Sequence, residues 1–485
     1  MTFKELLSWK NLTPVNGYSL PADMPALDVV TTAGQASPNA LFVACGTAVR
    51  NGHEEAMAAY ERGCRHFVAE RMLALPTDAS LCLTEDTAGL LGVLAEAAHG
   101  YPARSLTVVG ITGTHGKTSV ALLAAGLLTG CGRRVAMLTT DGTDIGGRFV
   151  PQGEFAPDAA DLARFFRDAV DVGAEIAIVE LSAYMLAHGA AEGIPFTVVL
   201  GTDLTPRHIG KGEHADMAAY RAAKARLLEM DVPLSVMHTG LADFSPRGRV
   251  FTYGLGQEEA DFRLLVEGTC RTGGICATAL TLVYRGKCYR LETPLRFAAC
   301  LHNLAAALAL AVVLGVPLAR LASLTPQVRA VGRADCLYLV GERTVCFDAA
   351  YEAEDLLLLL KSLRAETEGK LSVLLGSVGG RAYARRAPLG AAALSCADFV
   401  YFTADDPNGE SVAQITHDMV GENGDSARYR VIASRAEAIR EAALDLRRGD
   451  TLVILGKPRE ETQLVNGKKH FFSDRLALLD AIREL

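Results

Sequence analysis

The clearest chemical signature in the chain lies in residues 107–120, TVVGITGTHGKTSV. Glycines at 110, 113 and 116 let a backbone approach a phosphate and turn its N–H groups inward. Lys117 can then reach the β/γ oxygens, and Thr118 can offer its hydroxyl to Mg²⁺. The strict phosphate-loop spacing asks for glycine at 111, where the chain has Ile111 with Gly110 one residue early. A plain glycine-rich turn rarely ends in Lys-Thr, so a nucleoside triphosphate is the expected ligand, contacted by Gly113, Thr114, Gly116, Lys117, Thr118 and Ser119. Glu180 ends the apolar run 176–179, where a core residue would be the ordinary choice, and a carboxylate near a triphosphate suits Mg²⁺. His208 in the polar stretch 202–208 and Lys224 in the helical stretch 220–228 read singly as a surface histidine and an ordinary helix lysine.

Positioning such groups needs strands that end beside one another. Apolar runs at 106–109, 135–138, 176–179, 198–200 and 234–237 alternate with helical stretches, the rhythm of a parallel sheet covered on both faces, with catalytic groups at the strand carboxyl ends. A second series follows at 345–347, 371–375, 399–402, 430–432 and 452–455, and a smaller α/β unit with strands at 40–45 and 66–69 precedes the loop. The expected fold is therefore three α/β domains. Residues 1–103 form the first, 104–322 a central phosphate-loop domain with a parallel sheet, and 323–485 a Rossmann-like C-terminal domain, with residues 101–104 as a proline-containing linker.

The length of 485 residues exceeds one ordinary core, and 50% hydrophobic with 21% charged residues describes a globular protein. A net charge of −8 argues against general nucleic-acid or anionic-membrane binding. Residues 1–12 lack an apolar stretch of signal-peptide length, and the apolar helix candidate 304–314 falls short of the roughly 20 residues that cross a bilayer. Eleven cysteines, odd in number and with no C-x-x-C pair, read as reduced core residues, which points to the cytoplasm.

Several short motifs accompany the loop: Glu180-Leu181-Ser182, Thr202-Asp203-Leu204 with His208, and Tyr220 with Ala223-Lys224. Further on come His302-Asn303-Leu304-Ala305-Ala306, Gly332-Arg333, Asp348, Gly376 with Gly379-Gly380-Arg381, Asp405-Asp406-Pro407-Asn408 and Gly456-Lys457-Pro458-Arg459-Glu460. In this order the chain resembles the Mur ligases, the ATP-dependent amide ligases of peptidoglycan assembly, and within them the MurE group, over nearly its whole length. The resemblance implies an N-terminal domain for a nucleotide-sugar acceptor, a central domain for ATP and a C-terminal domain for an amino acid. It implies ATP and two Mg²⁺ ions as cofactors, with Asn303, Arg333 and Asp348 as nucleotide contacts. Thr118, Glu180, His208 and a carbamylated Lys224 would surround the metal ions, and Lys117, Glu180, His208 and Lys224 form the catalytic set. Arg381, Asp405, Asp406, Asn408, Lys457 and Glu460 would meet the amino acid, and Ser182 the acceptor. The implied partners are small molecules, with no nucleic acid and no membrane, and the implied form is a monomer.

Departures from the MurE pattern gather on the acceptor side. Its Asp-Ser-Arg is Thr32-Ala33-Gly34 here, its Ser-Ser-His is Ser182-Ala183-Tyr184, and its following arginine aligns near Ala190. Its Thr-Thr-Pro is Phe155-Ala156-Pro157, and the Asn and Asp of its strand-end loop are Asp203 and Arg207. Thr31, Thr32, Arg50 and Arg385 are the candidate replacements for the lost donors. Asp405-Asp406-Pro407-Asn408, where diaminopimelate-adding relatives carry Asp-Asn-Pro-Arg, reads toward lysine or ornithine. Two other readings remain: a paralogous ligase with a different acceptor, and a non-catalytic nucleotide-binding relic. The joint retention of Lys117, Glu180, His208 and Lys224 speaks against the relic.

Overall fold

The computed structural model describes residues 12–15, 28–46, 51–152, 156–207, 209–210, 214–256, 259–272, 275–339, 341–421 and 425–483; Arg50, Phe155 and His208 lie outside them. The chain divides into two compact units, residues 1–266, 281–290 and 302–324, and residues 267–280, 291–301 and 325–485. Among the described residues no helix is long and apolar enough to cross a membrane.

Two sheets build the first unit. In the smaller one, Asp28–Val30, Ala40–Ala44, His66–Ala69 and Ser80–Leu83 run parallel, and Thr13–Pro14 pairs antiparallel with the last. All five residues of Ala40–Ala44 are buried, as a strand covered on both faces requires. In the larger sheet Thr107–Thr112 lies between Ile176–Glu180 and Val198–Gly201, both parallel to it. Val135–Thr139 extends one side; Leu234–His238 and Arg249–Leu255 extend the other. The register pairs Glu180 with Ile111 and Gly201 with Thr112, so these strands end level and the residues that follow gather at one edge.

The spacing problem at position 111 has a structural answer. The strand runs on through Thr112, Ile111 is wholly buried in it, and the loop begins only at Gly113. No glycine is needed where the backbone is still sheet. One expectation also changes in the central part of the chain. Arg249–Leu255, Phe262–Thr272, Ile275–Tyr284 and Lys287–Thr293 are successive strands where alternating strands and helices were expected. These segments mix apolar and charged residues, so they lack the continuous apolar runs that mark fully buried strands.

The second unit carries a six-stranded sheet in the order Asp335–Leu339, Arg343–Asp348, Thr451–Leu455, Leu371–Leu375, Phe399–Thr403, Tyr429–Ile432. All neighbours are parallel except the first two. Val345, Phe347, Leu374, Leu452 and Ile454 fill one side of it, and Cys346, Val373, Leu375 and Val453 the other. Cys336 and Cys346 stand sulfur to sulfur across this hairpin, where the expectation was of reduced core cysteines. Hairpin register sets the two directly opposite with their Cα atoms 4.0 Å apart, a relation that counting cysteines does not reveal.

Candidate active site

The phosphate loop is pinned from three directions. Gly113 has φ +150°, and a Cβ there would lie 1.7 Å from Thr202 Oγ1. Gly116, at φ +80°, faces Asn303, whose Oδ1 would be 2.3 Å from an added Cβ, so the predicted nucleotide contact Asn303 does meet the loop. From the third side Tyr220 donates its hydroxyl to Thr114 Oγ1 at 3.2 Å. The helix Lys117–Gly130 starts directly after the glycine, directing its unpaired N–H groups toward the loop.

Beside it stands a small oxygen cluster. Thr118 donates its hydroxyl to Glu180 Oε2 at 2.7 Å, the Thr140 N–H reaches the same oxygen at 3.2 Å, and Lys117 Nζ lies 3.9 Å from Glu180 Oε1. Glu180 is 2% exposed. A buried carboxylate beside a hydroxyl at the carboxyl end of a parallel strand is the hard-oxygen donor set that a Mg²⁺ ion takes, and it fits the group. Thr140 was not anticipated; it follows a different strand, Val135–Thr139, and only the sheet brings it to Glu180.

Lys224 is 1% exposed and donates to the Gly113 carbonyl at 2.6 Å. Burial, then the positive charge of Lys117, lowers its pKa to about 6, against the opposing pull of Asp203 and Glu180. It is therefore no ordinary helix lysine: at pH 7 to 8 the amine is largely uncharged. Asp203 accepts from the N–H groups of Thr114 and His115 at 2.8 and 2.7 Å. Burial works to raise its carboxyl, but the hydrogen bonds from His115 and Thr114 outweigh that and hold it below the usual range.

In the second unit, four of the predicted motifs meet at the strand ends. Gly332 packs against Pro458, Gly379 against the Pro407 carbonyl, Gly376 against the Thr403 carbonyl, and Gly456 against the Asp405 carboxylate. Asp348 accepts from the N–H groups of Ala334 and Ala350 at 2.6 and 2.7 Å, so it braces the turn that carries Arg333. Its burial pushes the carboxyl up, with the Arg333 charge opposing. Lys457, 1% exposed, meets Glu460 at 2.5 Å, Asp406 at 2.9 Å and Asp405 at 3.8 Å. Burial works to lower its pKa, and the three carboxylates more than reverse that, so it stays a cation. Asn408 accepts from the Gly467 N–H at 2.9 Å, and Arg381 is exposed.

Residues 111–311 match the Mur ligase middle domain, and residues 332–458 match the Mur ligase glutamate ligase domain. A UDP-N-acetylmuramoyl-L-alanyl-D-glutamate–2,6-diaminopimelate ligase of Thermosynechococcus vestitus is 30% identical over 100% of this chain and 98% of its own. The chain belongs to the Mur ligase family. The ligase of the same name from Geobacillus thermodenitrificans is 29% identical over 92% of this chain and 93% of its own. A solved structure under that name matches with TM-score 0.65 and 25% identity, covering 100% of this chain and 99% of the other. MurF from Thermotoga maritima, solved in complex with ADP, matches in fold with TM-score 0.55 at 19% identity over 95% of this chain and 97% of its own.

At several positions where this Mur ligase departs from the MurE pattern, the groups present are engaged within the fold. The Ala33 N–H donates to Glu55 Oε2 at 2.8 Å, and Ala183 and Ala190 are 5% and 2% exposed. Ser182 Oγ caps the short helix Ala183–Ala187 by accepting from the Met185 N–H at 3.1 Å. Of the candidate replacement donors, Thr31 gives its hydroxyl to Asp158, and Thr32 gives its own to Gln35 Oε1 at 3.0 Å. The Arg385 guanidinium lies 5.2 Å from the Tyr351 ring centre.

Proposed function

We propose that this Mur ligase is an ATP-dependent carboxylate–amine ligase. It joins an amino acid to a UDP-N-acetylmuramoyl-peptide-type acceptor and releases ADP and phosphate. Residues 1–103 take the acceptor, 104–322 the ATP and 323–485 the amino acid. The observation that carries this reading is the buried Thr118–Glu180 contact of 2.7 Å with Lys117 Nζ 3.9 Å from the same carboxylate, at the mouth of a phosphate loop. Lys117 and the loop N–H groups stabilise negative charge as the acceptor carboxylate attacks the γ-phosphorus. The β–γ bond breaks and ADP leaves; the neutral amine then attacks the acyl phosphate carbonyl, the C–N bond forms, phosphate is expelled, and the proton lost from nitrogen leaves with the phosphate. Two Mg²⁺ ions, one held by Thr118 and Glu180 and a second by His208 with a modified Lys224, would offset charge on the phosphoryl oxygens.

The Lys224 amine supports the modification. With its pKa near 6 the nitrogen lone pair is available at neutral pH. Attack on CO₂ forms an N–C bond, releases one proton and leaves a carbamate anion, which replaces an amine with a hard-oxygen, metal-binding group. Asn303, Arg333 and Asp348 are the proposed nucleoside contacts. The Lys457 cluster, with three carboxylates around one ammonium, favours an amino acid with a cationic end, and Asn408 lacks the forked cation that would grip a second carboxylate. Lysine or ornithine is therefore the proposed amine substrate, although the relatives are named for 2,6-diaminopimelate. A second reading, the same chemistry on a different acceptor, draws support from the buried methyl groups of Ala183 and Ala190 and from the engaged hydroxyls of Thr31 and Thr32.

The test is phosphate release by purified protein with ATP, Mg²⁺, candidate acceptors and individual amino acids. ADP and phosphate are expected. AMP and pyrophosphate would move the enzyme into the adenylating class.

A further inference from the structure

His115 sits inside the phosphate loop, one residue before Gly116, yet none of the roles above uses its side chain. Its Nδ1 lies 3.0 Å from Asp203 Oδ2, while Asp203 Oδ1 takes the backbone N–H groups of both Thr114 and His115. One carboxylate thus gathers three groups from two consecutive loop residues. Its own position is set by the sheet: Asp203 follows Val198–Gly201, whose last residue pairs with Thr112 at the end of the loop strand. Thr202 Oγ1 ties the two segments further by donating to the His115 carbonyl at 2.7 Å. Nδ1 is placed to donate to the ionised Asp203, with the Thr205 hydroxyl 3.3 Å from the same nitrogen, and Nε2 makes no hydrogen bond among the described residues. The His115 side chain is 38% exposed.

This placement poses an electrostatic problem. A carboxylate fastened to a phosphate loop stands close to whatever polyanion that loop holds, and two like charges about 6 Å apart at an effective dielectric near 20 repel by about 3 kcal/mol. The imidazole faces Oδ2 of this carboxylate from the loop side, with the Lys224 amine also near, so it can help offset the charge while Oδ1 goes on organising the backbone.

We propose that His115 and Asp203 act as a positioning pair for the terminal phosphates of the nucleotide. Asp203 fixes the loop backbone, and His115 masks the carboxylate's charge and presents its Nε2 edge at the rim of the phosphate site. The pair also accounts for Asp203 standing where the MurE pattern has asparagine: the carboxylate is tolerated because the loop supplies its partner. The inference rests on the ATP-dependent reading.

The test is a double-mutant cycle read by Mg·ATP calorimetry, steady-state kinetics and thermal melting. His115→Ala is expected to weaken ATP binding and raise KM for ATP by roughly 10- to 100-fold, with kcat changed less than about threefold. Asp203→Asn placed on top of it keeps an acceptor for the two backbone N–H groups and removes the charge, so it should restore most of the lost affinity. His115→Gln, which keeps a donor, should fall between. Affinity within twofold of wild type in both His115 variants overturns the proposal, as does a double variant weaker than His115→Ala alone. Loss of ATP binding that tracks a fall in melting temperature across the series also overturns it, because that is the signature of a scaffold role. If the unmodified protein binds neither ATP nor ADP, the ligase reading itself fails and the pair with it. Wild-type binding with undiminished variants removes the pair alone.

Discussion

The phosphate-loop region and the surroundings of Thr31 and Ser182, proposed to meet the acceptor, hold their polar groups differently within the same unit. Around the loop, Lys117, Thr118, Glu180 and Lys224 are buried or nearly so, yet each presents its polar atom to one shared edge of the sheet. Around Thr31 and Ser182, polar groups are turned into the fold: Thr31 onto Asp158, Thr32 onto Gln35, Ser182 onto its own helix. Groups held together without a structural need for that chemistry mark a working site. Bonds to backbone occur in both regions, since Lys117 Nζ donates to the Thr114 carbonyl at 3.0 Å and Lys224 to that of Gly113 at 2.6 Å; what sets the loop apart is the convergence of two amines, a hydroxyl and a buried carboxylate on one edge.

The sharpest attack on this contrast is to measure the acceptor. A UDP group brings a doubly charged pyrophosphate, and loss of even two charge-assisted hydrogen bonds weakens binding by roughly 10²–10⁴. Calorimetry is expected to give weak binding of UDP-N-acetylmuramoyl-L-Ala-D-Glu beside ordinary micromolar ATP binding; tight binding with efficient turnover would erase the contrast and make the acceptor site that of the named relatives.

Next come the loop-side charges. Lys117→Ala should lower kcat by about 10²–10³ with an unchanged melt. Lys224→Met should lower activity comparably while raising stability at low pH, an opposition that identifies a functional strain. The folded pKa of about 6 lies below the unfolded value of 10.5, so unmodified Lys224 costs stability fully below pH 6, and the penalty fades as pH rises toward 10.5. Melting curves from pH 5.5 to 9, with and without bicarbonate, should rise with pH in the wild type and lose that component in the variant. Full activity of Lys224→Met, indifferent to bicarbonate, would refute the carbamate.

Amino-acid choice is a smaller effect. With Asn408 in place of arginine, catalytic efficiency on diaminopimelate should trail that on lysine or ornithine by roughly 10- to 150-fold. Equal efficiency on the two would remove the argument from the Lys457 cluster. Smallest is Thr31→Val, which removes one donor from the partly buried Asp158 carboxylate and should cost about 0.5–1.5 kcal/mol of stability with acceptor affinity unchanged. A loss of affinity without a loss of stability would return Thr31 to the acceptor site.

Much of the scaffold was legible because fully buried parallel strands must be continuous apolar runs. Those at 176–179, 371–375 and 452–455 sit within one residue of the observed strands, since nothing else in the chain competes for such sequences. The strands of 249–293 were not legible, because half-exposed segments carry charges that blur the pattern. Lys117, Thr118 and Glu180 could be picked out singly from residue type at a strand end. Thr140 could not, nor could the pairing of Tyr220 with Thr114 or of His115 with Asp203: each contributes through a partner at least 40 residues away, and only the tertiary fold sets that distance.

The sequence by itself determined the phosphate loop, the parallel-sheet rhythm and the family, because these rest on local spacing and on the one-dimensional cost of burying backbone. Tertiary structure alone decided which polar groups face a ligand and which close on the fold. It also alone set the lowered pKa of Lys224 and the opposition of Cys336 to Cys346. Burial, charge proximity and register are properties of three-dimensional neighbours, and the order of residues along the chain does not contain them until the strands are paired.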